Sequence, residues 1–121
     1  MTQQTLPIVL NLVAAVFGAV GQYFYKAGAA KLAAEPVWKN WEIALGAVLF
    51  VGVMGLFIAA FKAGGKLSVT YPVYATTFAW GLLIGAVVDK ESINAGQIAG
   101  VLLILAGVAL VGIFGTKAGA G

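Results

Sequence analysis

Residues 43–88 read IALGAVLFVGVMGLFIAAF (43–61), KAGGK (62–66) and LSVTYPVYATTFAWGLLIGAVV (67–88). Two charge-free runs flank five residues that hold two lysines and two glycines. A helix of about 20 apolar residues crosses the roughly 30 Å hydrocarbon core of a bilayer. Working outward, residues 6–25 and 95–114 have the same character. A backbone in lipid must satisfy its own hydrogen bonds, so each run is expected to be a helix. The runs are too continuous for the alternating pattern of a membrane β-barrel. The expectation is an all-α integral membrane protein with one domain, residues 1–121. Its four transmembrane helices lie at about 6–25, 43–61, 67–88 and 95–114, in an up-down bundle.

Composition agrees. Of 121 residues, 62% are hydrophobic and 9% charged, and mean hydropathy is +1.03. A soluble domain carries about 25% charged residues. Cysteine and histidine are both missing. That removes disulfides, Cys/His zinc or haem sites, thiol nucleophiles and histidine acid–base chemistry. No metal or cofactor is called for, and the chain is not expected to be an enzyme. The net charge of +3 rests on seven lysines with no arginine. They are scattered between apolar runs, which argues against nucleic acid and for anchors at the membrane surface. The first residues, MTQQTLPIVL, lack the positive start of a signal peptide, so the first span is expected to stay.

The connections differ in length. Residues 26–42, KAGAAKLAAEPVWKNWE, form the one long loop. Lys31 and Glu35 at i,i+4 suggest a short interfacial helix ended by Pro36. Trp38 and Trp41 suit an aromatic belt. DKES (89–92) is a tight turn in which Ser92 can cap the last helix. The tail GTKAGAG is expected to fray. Even crossings place Lys62, Lys66 and Lys117 on one side, and Lys26, Lys31, Lys39 and Lys90 on the other. Three against four barely sets orientation, so both insertion in two orientations, giving an antiparallel pair, and a single orientation stay open.

Four helices are few for a pathway, so dimer signals matter. Gly96, Gly100 and Gly107 notch the last helix, and Gly81 and Gly85 the third. Such notches let backbones approach closely, within a chain or between chains. Polar residues inside the spans are the second signal. Asn11, Gly18, Gln22 and Tyr25 share a helix face. Thr70, Tyr74 and Thr77 share another, with Tyr71 beside them and Phe78 and Trp80 adding aromatic surface. A polar stripe facing lipid is costly. These residues therefore either line a pocket for an amphipathic ligand or glue helices together. For Asn11, near the surface, glue is the expected role. Pro72 can kink the third helix. Lys26 can reach lipid phosphates. No span contains an acid, which proton coupling usually needs. Glu35, Glu42, Asp89 and Glu91 all lie at boundaries or in loops. Glu42, at the mouth of the second helix, favours that N-terminus through the dipole.

Three stretches carry a resemblance. LSVTYPVYATTFAW, ESINAGQIAGVLLILAGVALVG and GQYFYKAGA resemble motifs of four-helix EamA-type members of the drug/metabolite transporter superfamily. The nearest group is the flippase subunits that move aminoarabinose-phosphoundecaprenol. Small multidrug resistance (SMR) proteins come next. GVLLILAGV (100–108) resembles the helix-four dimerisation motif of the latter, and Tyr71 and Tyr74 fall at their aromatic pocket positions. Aligned on Gly21 and Lys26, this chain has Gly18 where those proteins keep an essential glutamate, so their drug–proton exchange is not carried over. The resemblance implies a transporter or flippase subunit in a prokaryotic inner membrane, working as a homodimer or with a similar small chain. Gln22, Tyr71, Tyr74 and Thr77 would bind a lipid-linked or amphipathic substrate. Lys26 or Lys66 would hold a phosphate, and Gly96, Gly100 and Gly107 would form the dimer seam. The rival expectations are a structural or accessory membrane subunit and an SMR-like efflux carrier of small solutes.

Overall fold

In a computed structural model, residues 3–118 are described, with side chains through Thr116. The Lys117 side chain and residues 119–121 lie outside that description. Five helices follow in chain order: α1 (Thr5–Ala29), α2 (Trp41–Lys62), α3 (Leu67–Val73), α4 (Thr77–Val87) and α5 (Ala95–Ala118). Short 3₁₀ turns occupy Val37–Lys39 and Tyr74–Thr76. No strand occurs among the described residues. Four stretches are long and apolar enough to cross a membrane: Thr5–Ala29, Trp41–Lys62, Leu67–Val87 and Ala95–Thr116. The exterior agrees, since Val48, Met54, Ile58, Leu102, Leu103 and Leu110 stand exposed while the buried core is small residues and polar side chains. That is the arrangement expected of an integral membrane protein, not of a soluble one.

Three local expectations are corrected. First, α1 does not stop at Tyr25 but continues to Ala29. Residues 30–35 then form turns instead of an interfacial helix. The Lys31 ammonium goes to Glu42, not to the i+4 partner Glu35. A tertiary partner at the mouth of α2 outcompetes a local pair worth only tenths of a kcal/mol, about 0.2–0.5. Second, α5 is opened by Asn94 rather than Ser92. Gln97 N–H donates to Asn94 Oδ1 (2.9 Å), and Asn94 N–H donates to Gln97 Oε1 (3.0 Å). This reciprocal capping box satisfies two orphan donors at once. Third, α5 runs through Ala118, so the GTK of the expected tail is helical.

Helix α1 is the hub. It packs along α2 and touches α3, the Tyr74–Thr76 turn and α4. The α1–α2 seam is made by missing side chains. A Cβ on Gly21 would stand 2.8 Å from the Phe50 ring, and one on Gly46 would stand 2.6 Å from Tyr25 and 3.0 Å from the Gly21 carbonyl. Tyr25 and Phe50 stack beside this contact, 5.3 Å between centroids at 10°. Tyr25, expected on the polar stripe, is thus part of the seam. The seam is clipped at one end by buried Asn40. Its Oδ1 accepts from Ile43 N–H (3.1 Å), capping α2, and its Nδ2 donates to the Gly28 carbonyl (2.7 Å), closing α1.

Two further ties fix the ends of α1. The Gln4 amide donates to the Gly64 carbonyl (3.0 Å) and accepts from Lys66 N–H (2.9 Å), so it grips the α2–α3 turn. Gly64 has φ +96°, which only glycine adopts cheaply. At the other end, Lys26 reaches Asp89 (2.9 Å) and Glu91 (2.8 Å) in the α4–α5 connection. Helix α5 packs on α3 and the Tyr74–Thr76 turn, where Gly115 admits the Val69 side chain, and has a slight contact with α4.

Candidate functional site

The third span is broken in its middle, and the break is built from its sequence. Pro72 has no N–H, so it cannot give the Ser68 carbonyl its helical bond. The backbone tightens into a 3₁₀ turn over Tyr74–Thr76 before α4 resumes. Such mid-helix 3₁₀ stretches mark hinges or strain. Beside this break lies a cavity of about 700 Å³. Tyr71, Pro72, Tyr74 and Thr77 form its wall on the broken span, Gln22 and Ala19 face it from α1, and Phe78 and Gly81 extend it along α4. The volume falls within the range of small-molecule sites, roughly 300–1,000 Å³.

All four residues expected to bind substrate, Gln22, Tyr71, Tyr74 and Thr77, line this one cavity. Gly18 explains how Tyr74 fits. A Cβ on Gly18 would collide with the Tyr74 hydroxyl, so the bare backbone receives the phenol. Gly18 lies near the middle of α1, which puts Tyr74 at mid-depth of the spans. Nothing charged lines the cavity. The walls combine one amide, three hydroxyls and aromatic faces, a set suited to a neutral polar group held against rings. The other members of the α1 stripe part company. Asn11 is buried, but its amide donates to the Pro7 carbonyl one turn back on the same helix (3.1 Å), so this bond ties no second helix to α1.

Phe57 was not singled out from the sequence, yet it backs the site. Its ring meets Tyr71 at 6.0 Å and 69°, and Tyr74 at 5.1 Å and 58°. It sits in a run of apolar residues on α2 with no polar neighbour to mark it. The spacing of Phe57 and Phe61, one turn apart, was the available signal.

The lysines do not join the cavity. Lys26 is held by two carboxylates, so an anionic headgroup would have to displace Asp89 and Glu91. Lys66 sits at the other end of α1, fixed by its backbone bond to Gln4. The helix between the two ends spans roughly 30 Å at 1.5 Å per residue, so one headgroup cannot touch both. Lys31 is drawn to Glu42. The bonded carboxylate holds the Lys31 ammonium above its ordinary pKa, against a smaller desolvation effect. Glu42 itself is 3% exposed, and its Oε2 finds no partner.

The glycines of α5 have a different status. Where Cβ atoms would stand on Gly100, Gly107 and Gly112, no atom of the described chain beyond the adjoining residues and backbone of α5 itself lies within 4 Å. Gly96 faces only Asn94 Oδ1 at 3.2 Å. On α4, Gly85 is filled by the chain's own Glu91 carboxylate, while Gly81 opens on the cavity. Comparison with known protein families, curated proteins and solved structures yields no match.

Proposed function

We propose that the chain is a membrane transporter or flippase subunit of the drug/metabolite transporter type, moving a small amphipathic or lipid-linked metabolite. One observation carries this reading: four polar residues from two spans converge on a single cavity at a broken helix. The cavity wall is the break itself, so a change at Pro72–Thr76 would reshape the site. Rocking about such a break is how a mid-depth site can open to one side and then the other. The neutral lining favours a head with hydroxyl or amide groups, and no acid lies in the cavity for proton coupling. No bond of the ligand need be broken, so the role is not enzymatic.

The ties at both ends of α1 support an up-down bundle, because Gln4 meets the α2–α3 turn while Lys26 meets the α4–α5 connection. The unfilled glycines of α5 support pairing through that helix, with Gly100 and Gly107 against a second copy or a similar small chain. The host membrane in this reading is a prokaryotic inner membrane. The same open face favours one rival, an accessory subunit docked on a larger protein.

The test uses an NBD-tagged dodecyl glucoside in proteoliposomes, with dithionite quenching as the readout. The expected result is exchange between leaflets faster than in protein-free vesicles, and slower again with Gln22→Ala or Tyr74→Phe. Helix content by circular dichroism keeps misfolding separate. Equal rates in the wild type and both variants would sink the proposed site.

A further inference from the structure

A second cavity adjoins the first. It measures about 340 Å³ and is lined by Met54, Phe57, Ile58 and Phe61 of α2 with Leu67 and Tyr71 of α3. Its only polar-bearing residue, Tyr71, also lines the first cavity. The two spaces therefore meet at one ring, which Phe57 flanks edge-on. Met54, Ile58 and Leu67 are each more than half exposed, so this groove opens sideways to where lipid chains would lie. From Met54 to Phe61 it runs about 10 Å along α2, toward the Lys62–Lys66 turn.

We infer that the groove is the tail half of a bipartite site. A neutral, hydroxyl-bearing head sits in the first cavity, and its alkyl chain passes Tyr71 to lie along Met54, Ile58 and Phe61. The inference rests on reading the first cavity as the ligand site, and adds where the rest of the ligand goes. The occupant follows from continuity and depth. A bilayer phospholipid keeps its head at the surface, whereas this groove leads from near the surface to a mid-depth cavity whose mostly apolar wall carries the Gln22 amide and the hydroxyls of Tyr71, Tyr74 and Thr77. Only a molecule whose head is drawn inward fills both spaces at once. A charged head would lose its hydration without a counter-charge in either lining, which excludes it on cost. Lipid chains are as apolar as the groove walls, so the tail adds little affinity in a membrane. The groove instead sets the direction in which the ligand lies.

That consequence fixes the test. The protein, in lipid nanodiscs, is irradiated with a dodecyl glucoside carrying a diazirine at mid-chain, and adducts are mapped by mass spectrometry. The expected result is adducts concentrated on Met54, Ile58 and Phe61, suppressed several-fold by excess unlabelled dodecyl glucoside and by Gln22→Ala. Suppressible adducts on Phe78 and Gly81 instead would overturn the tail assignment and leave the head site standing. Adducts spread over lipid-facing Leu102 and Leu103, indifferent to competitor, would overturn both, since the probe would then report only its mixing with the bilayer.

Discussion

Helices α1 and α5 are both rich in glycine, yet the glycines of α1 are all filled by neighbours while most of those on α5 stand open. Each of three glycines on α1 receives a particular neighbour: Gly18 the Tyr74 hydroxyl, Gly21 the Phe50 ring, and Gly28 the Asn40 amide and Ile43. On α5, Gly100, Gly107 and Gly112 receive nothing. Of the α1 span, 39% is buried within the chain, and of the α5 span, none. A glycine weakens a helix by up to about 1 kcal/mol relative to alanine. On α1 that cost is offset inside the chain by close backbone approach. On α5 Gly115 shows such an offset, where it admits Val69, but Gly100, Gly107 and Gly112 show none inside the described chain, which is why the proposal places theirs between chains.

The largest effect should come from filling the α1–α2 seam. Gly21→Leu drives a side chain into Phe50 and toward the Gly46 carbonyl. The Phe50 ring, 2.8 Å from the added Cβ, can turn, but the remaining leucine carbons must still fit beside the Gly46 carbonyl, 3.5 Å from that Cβ, so the cost should reach the top of the ~1–3 kcal/mol typical of overpacking. The melting midpoint in detergent, followed by circular dichroism, measures it. A wild-type midpoint would break the comparison, because the α1 glycines would then be as idle as those of α5.

Asn40→Ala tests the clip that holds the seam closed. The substitution removes a helix cap worth about 1 kcal/mol. It also leaves the buried Gly28 carbonyl without its side-chain donor, at about 1 kcal/mol more. A combined loss near 2 kcal/mol in the same unfolding assay is expected. Asn40→Asp should recover the cap and not the second bond, which splits the two contributions.

The four spans were legible because charge is excluded from lipid, and that exclusion leaves long uncharged runs. The four cavity residues were legible for the same reason, as polar groups where polar groups are costly. What escaped was whatever depends on a partner distant in sequence. Lys31 goes to Glu42 rather than Glu35; the Asn94 cap of α5 is the exception, because its partner Gln97 lies only three residues on and the capping-box spacing, which Ser92 lacks, could have marked it. The continuation of α1 through residues 26–29 escaped because its stop is set by Asn40 gripping Gly28, not by any local breaker. Phe57 escaped because an apolar wall and a lipid-facing apolar residue look alike in sequence.

A smaller effect belongs to pH. Lys31, held above its ordinary pKa by Glu42, contributes stability that is fully present below the unfolded value of about 10.4. That contribution is lost as pH rises through the higher folded value. The melting midpoint should therefore fall above about pH 10.4, and Lys31→Met should lower the midpoint at neutral pH and flatten this alkaline limb. An unchanged limb would mean that the pair is open in solution and that the α2 mouth is held by Asn40 alone.

The smallest effect on the fold should come from α5. In Gly107→Ala the added methyl meets nothing within the chain, and alanine favours the helix over glycine, so the midpoint of the isolated chain should hold or rise slightly. Stoichiometry by native mass spectrometry is the second readout. If α5 pairs with a second copy through Gly100 and Gly107, the bulkier Gly107→Leu should shift dimer toward monomer while leaving the monomer's helices intact. A dimer untouched by Gly107→Leu would put the seam elsewhere, and the open glycines of α5 would then face lipid alone. Stability and stoichiometry must therefore separate on α5 and move together on α1, since on α1 the glycine partners belong to the same chain. Finding both separated, or both joined, removes the distinction between the two helices.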